Sequence, residues 1–173
     1  MDLQSQILLR HDKQNMILIR EYVGDDPQRF ANLMKLFFSD QYRIQQRTSW
    51  AVMHCVTRQP TLITPYLEKM INLLDKPVHD AVKRNITRIL RDIDIPKAFH
   101  GQVADHCFRL LGDATSPVAI KAFSMYILQK IVRAEPELAN ELRLIIEKHL
   151  PYESPAYGVA AQKVFKQLKQ SGI

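Results

Sequence analysis

The chain has 173 residues, 46% of them hydrophobic and 24% charged, which is enough apolar material for a sizeable core with the charge content of an ordinary soluble protein. Its 24 Lys and Arg against 18 Asp and Glu leave a net charge of +6 and a pI near 9.4, a balance that suits anionic partners. No apolar run is long enough to cross a membrane, and the start, MDLQSQILLRHDKQ, with its early acid, fits neither a secretory signal nor a transit peptide, so a cytoplasmic protein is expected.

In chain order, a short pair of helices is predicted over about 2–9 and 12–23, with Asp12 as N-cap of the second and Gly24-Asp25-Asp26-Pro27 as the break after it. Four fuller pairs follow, near 27–38 with 42–58, 61–74 with 78–93, 97–112 with 116–133, and 136–149 with 155–170. Pro27, Pro77, Pro117, Pro136 and Pro155 fall at or just before helix starts, where a missing N–H costs little. No alternating β-branched run is bounded by Asn-Gly or Asp-Gly, so no strand is expected.

The pairs repeat with a period of roughly 36 to 38 residues. Breaks within the pairs hold Asp40, Asp75 and Asp113, and Pro60, Pro96 and Pro136 close the units. Ile44, Thr48, Ala51, Val52, Cys55 and Val56 form a wide apolar stripe on helix 42–58, and Val78, Val82, Ile86, Ile89, Leu90 and Ile93 repeat it on helix 78–93. First helices are amphipathic too, as in Leu62, Ile63, Tyr66, Leu67, Met70, Ile71 and Leu74. Each unit can bury these faces only by stacking on its neighbours, which defines an α-solenoid. With no composition shift to mark a linker, one domain over 1–173 is expected: a capping pair 1–26, then units 27–60, 61–96, 97–135 and 136–170.

The sequence resembles the HEAT and armadillo repeat families in the aspartate of each break and the basic residue early in each second helix: Asp40 with Arg47, Asp75 with Lys83 or Arg84, Asp113 with Lys121. The resemblance implies a right-handed α-α superhelix whose second helices line a concave face, with these residues forming a ladder between repeats. R-T-S-W at 47–50, K-A-F-S-M at 121–125 and S-P-A-Y at 154–157 are similar to segments of a group of small bacterial HEAT-like proteins of unestablished function. The last unit departs from the pattern: its break reads Leu150-Pro151-Tyr152-Glu153, without the aspartate, as suits a terminal cap.

Arg43, Arg47, Trp50, His54 and Arg58 share one face of helix 42–58, and Arg84, Thr87, Arg88 and Arg91 share one face of helix 78–93. Stacked in parallel, the two helices would join these into a basic strip, with Lys121 as its counterpart on helix 116–133. Such a strip can neutralise phosphates or meet acidic side chains, and the only tryptophan can stack on a base or anchor a peptide. The alternatives are structural: Arg47, Lys83 and Lys121 as ladder residues bonding loop acids and helix ends, and Trp50 as core.

Chemistry-bearing motifs are otherwise scarce. Cys55 and Cys107 lie inside helices without C-x-x-C spacing and read as buried free thiols of a reducing compartment. His100, Asp105, His106 and Cys107 are the nearest approach to a ligand set, yet His106 leaves the shared face, so neither a metal nor any other cofactor is expected. Glycine-rich phosphate loops, G-x-S-x-G and the signature loop of the adenylosuccinate lyase superfamily are absent, and Ser124 lacks a base. The expectation is a non-catalytic scaffold, monomeric or weakly dimeric, that binds an acidic protein or peptide. The alternative is a nucleic-acid binder, including an enzyme of the HEAT-like DNA glycosylase type with Trp50 stacking and Asp80 or Asp113 as the acid.

Overall fold

The computed structural model describes residues 1–172. Among them are ten α-helices and no strand: α1 Leu3–Leu9, α2 Lys13–Val23, α3 Pro27–Phe37, α4 Tyr42–Arg58, α5 Leu67–Ile71, α6 Asp80–Asp92, α7 His100–Gly112, α8 Val118–Val132, α9 Ala139–His149 and α10 Pro155–Gln170. Helix starts are fixed by aspartates: Asp2, Asp12 and Asp26 cap α1, α2 and α3, Asp12 accepting from the Asn15 amide at 2.8 Å. Gly24 ends α2 at φ 56°, a left-handed backbone that a side chain would strain.

The helix expected over 61–74 is not a continuous α-helix. A 3₁₀ helix spans Pro60–Tyr66, α5 covers only Leu67–Ile71, and a second 3₁₀ turn spans Asn72–Asp75. Pro65 sits inside this segment, where it removes an amide donor and crowds the preceding turn, so the backbone tightens. Leu62, Ile63, Leu67, Met70, Ile71 and Leu74 nevertheless stay inside, and Tyr66 is half-buried. Two other expected starts open as short 3₁₀ turns, Lys97–Phe99 and Pro136–Leu138, before α7 and α9.

Packing divides the chain into two compact units, Met1–Ile93 and the residues from Asp94 onward. In the first, α4 lies between α2 and α6, while α1, α3 and the 60–75 segment form the other layer. The repeated template is the reason: Ile44, Thr48, Ala51, Val52, Cys55 and Val56 on α4, and Val82, Ile86, Ile89 and Leu90 on α6, are all buried. A buried hydrogen bond joins the two helices, Asn85 Nδ2 donating to Ser49 Oγ at 2.9 Å. His79 caps α6, its Nδ1 accepting from the Ala81 amide at 2.9 Å, and its Nε2 lies 3.0 Å from Gln46 Nε2 of α4.

In the second unit α8 packs on both α7 and α10, and α7 packs on α9. Ile120, Met125, Ile127, Leu128, Ile131 and Val132 put apolar surface on several sides of α8, as a helix enclosed by neighbours requires. Tyr157, of the S-P-A-Y segment, is fully buried.

Candidate functional site

Of the α4 and α6 side chains singled out from the sequence, Trp50, His54, Arg47, Arg84 and Arg88 gather in the first unit with Lys13 and Arg20 of α2 and His11 of the α1–α2 turn. Trp50 is half-buried there. The His11 ring meets it edge-on at 5.0 Å, and the His54 ring lies at 5.8 Å, tilted by 46°. Both imidazoles are held below the ordinary histidine pKa. For His11 the cause is burial, then the Arg47 and Arg84 charges, with Asp12 opposing; for His54 it is burial, then Arg20, Arg88 and Lys13. These couplings locate the positive field: α2, α4 and α6 all aim cations at one three-ring stack. Both rings are mainly neutral at pH 7. Because their folded pKa lies below the unfolded one, the stability they contribute is complete above about pH 6.5 and falls on acidification.

The cations differ in what they do. Arg84 and Arg88 are exposed, one helical turn apart, and have no hydrogen-bond or ion-pair partner among the described residues. Arg91, the third member of the α6 stripe, turns to Asp92, donating at 2.6 and 3.0 Å in a bidentate pair. Thr87 drops out of the exposed stripe: it is fully buried and its hydroxyl donates to the Lys83 and Arg84 carbonyls at 3.0 Å. Arg58 pairs with Glu21, which Arg20 also contacts at 2.6 Å.

Arg47 is structural as well as cationic. Its Nη1 donates to the Leu8 carbonyl at 2.8 Å and the Ile7 carbonyl at 3.3 Å, closing the C-terminal end of α1 and leaving Asp40 aside. Lys121 corrects the surface expectation outright. Only 1% exposed, it lies inside the second unit with its ammonium on the Glu153 carboxylate. A charge taken out of water is tolerated only beside such a partner, so Lys121 offers nothing to a ligand. Glu153 stands in the α9–α10 break, where the aspartate of the other units is missing, and supplies the carboxylate from there. Asp113 is turned to its own loop instead, accepting from the Thr115 amide at 2.8 Å and hydroxyl at 2.7 Å.

Other chemistries find little support in the geometry. Among the described residues no group of three or more His, Cys, Asp or Glu converges as a metal site. His100 Nε2 lies 3.0 Å from the Ile95 carbonyl oxygen, and His106 Nδ1 lies 2.9 Å from Arg109. Burial pushes the Cys55 and Cys107 thiols up to about 12, where neither is a nucleophile at neutral pH. Among the described residues no helix is long and apolar enough to cross a membrane.

A family model for the HEAT repeat domain matches residues 3–168. The chain belongs to the HEAT repeat family. Neither the curated proteins nor the solved structures contain a match to it. HEAT repeats are typically non-catalytic scaffolds and often mediate protein interactions, and the all-helical, α-solenoid class of this HEAT chain accords with that. His11, Lys13 and Arg20 join the same cluster, and helical-face reasoning on α4 and α6 missed them because they come from α2 and the turn before it.

Proposed function

We propose that this HEAT chain is a non-catalytic scaffold whose α2–α4–α6 face docks an acidic protein or peptide. The observation that carries the reading is the pair Arg84 and Arg88, exposed and without an acid of their own, beside the half-buried Trp50 stack. Like charges one turn apart repel, so leaving both unpaired costs stability that an incoming carboxylate would return. Trp50, flanked by two imidazoles, is a fixed anchor of the kind that protein interfaces use, which supports a protein over a base-stacking ligand. The buried thiols support work in a reducing compartment such as the cytoplasm.

Arg84→Gln/Arg88→Gln is expected to weaken binding of an oligoglutamate peptide by about tenfold or more, with the helical circular dichroism unchanged. Unaltered affinity would remove the face from consideration. A short DNA duplex is the comparison. If DNA binds more tightly than oligoglutamate, and the double variant lowers its log–log salt slope by about two units, the face belongs to nucleic acid instead. Loss of peptide binding chiefly in Trp50→Ala supports protein.

The glycosylase alternative has a direct check as well. Asp113 is committed to Thr115, and Asp80 stands exposed at the start of α6. Purified protein is expected to release no alkylated base from damaged DNA. Release above background that vanishes in Asp80→Asn or Asp113→Asn would make the chain an enzyme.

A further inference from the structure

We propose that His11 and His54 are direct contacts for the acidic partner that take up protons from solution as it docks, so that the face holds its partner more tightly as pH falls from about 8 to about 6. The inference rests on the docking reading above and adds the residues and conditions that govern it.

The geometry is a cluster of three rings, meeting edge-on and tilted, in a cationic surround. His11 and His54 both lie against Trp50, at 5.0 and 5.8 Å, and neither ring has a hydrogen-bond partner among the described residues. From α2 come Lys13, exposed, and Arg20, which shares Glu21 with Arg58. From α4 itself comes Arg47, and from α6 come Arg84 and Arg88. The α1–α2 turn contributes Asp12, the one carboxylate that opposes the cations at His11, and it is already paired with Arg10 at 2.7 Å. On α1, Asp2 caps its own helix; on α3, Arg29 bonds the Tyr22 carbonyl and Asp26, and Lys35 lies 3.4 Å from Asn32. The Pro60–Tyr66 segment, PTLITPY, carries no group that is charged at neutral pH.

In the free protein this surround disfavours imidazolium, as both depressed rings show. A carboxylate seated among Arg84, Arg88 and the two rings reverses the sign of the field. Each ring can then accept a proton and become a donor to the carboxylate in a charge-assisted hydrogen bond. Binding and protonation are thus linked: what raises the ring pKa in the complex must strengthen the complex where the rings are protonated.

The test is titration calorimetry of the full chain with oligoglutamate at pH 8, 7 and 6, in buffers of differing ionisation enthalpy. Glutamate side chains stay ionised over this range, with pKa near about 4.3, so the probe itself contributes no change. Wild-type affinity is expected to rise about fivefold or more from pH 8 to 6, with net proton uptake, and His11→Gln/His54→Gln is expected to flatten that slope. His11→Gln alone, on an exposed turn where folding is not at stake, should remove part of it. Wild-type binding that is strong but flat with pH, or a slope that survives in the double variant, overturns proton uptake and leaves the docking face standing. Absence of oligoglutamate binding at every pH overturns both.

Discussion

Replacing Glu153 by leucine is expected to lower the unfolding free energy by about 3–5 kcal/mol, measured by chemical denaturation at pH 7. The reason is the state of Lys121, 1% exposed and dependent on that carboxylate for compensation of its charge. Removing the acid strands an ammonium in the interior of the second unit. Removing both charges does not: Lys121→Met/Glu153→Leu is expected to fall within about 1 kcal/mol of wild type, since an apolar pair of similar volume avoids both desolvation costs. Losses under about 1 kcal/mol in Glu153→Leu at pH 7 would mean that the ammonium reaches water by another route.

That pair also marks what sequence can and cannot convey in a repeat protein. The architecture was legible because a stripe such as Ile44, Thr48, Ala51, Val52, Cys55 and Val56 has one physical explanation, a helix enclosed on several sides, and its recurrence on α6 fixes the stacking of the two. Lys121 was not legible as buried, because α8 is apolar nearly all round and a lysine on it can face either way. Its partner was hidden because the repeat pattern pairs Lys121 with Asp113, whereas the acid it meets is Glu153, in the last break where that pattern lapses.

The basic face was partly legible. Helical spacing on α4 and α6 is enough to put Arg47, Trp50, His54, Arg84 and Arg88 together once the helices stack, but it says nothing of pairing. Arg91 and Arg88 are equivalent in the pattern, and Arg91 is turned aside to the neighbouring Asp92. His11 lies outside any helix, so no periodicity points to it; the three-residue turn between α1 and α2 carries it to Trp50. The one misjudged helix, 61–74, did carry its signal, since Pro65 lies in the middle of an otherwise regular amphipathic run.

Ile86→Ala and Ile127→Ala are each expected to cost about 2–5 kcal/mol. Both side chains are fully buried, Ile86 on α6 in the first unit and Ile127 on α8 in the second. Truncation removes three methyl or methylene groups from contact with neighbouring helices and leaves a void that rigid backbones close only in part. The two sites also separate the units. If each unit unfolds by itself, Ile86→Ala should lower the stability of the first alone and Ile127→Ala that of the second, giving two transitions by hydrogen exchange. If the repeats unfold together, as coupled neighbours of a solenoid do, both variants should shift one common transition by similar amounts. Losses below about 1 kcal/mol at both sites would contradict the register on which the stacking of α4 with α6 and of α8 with α10 depends.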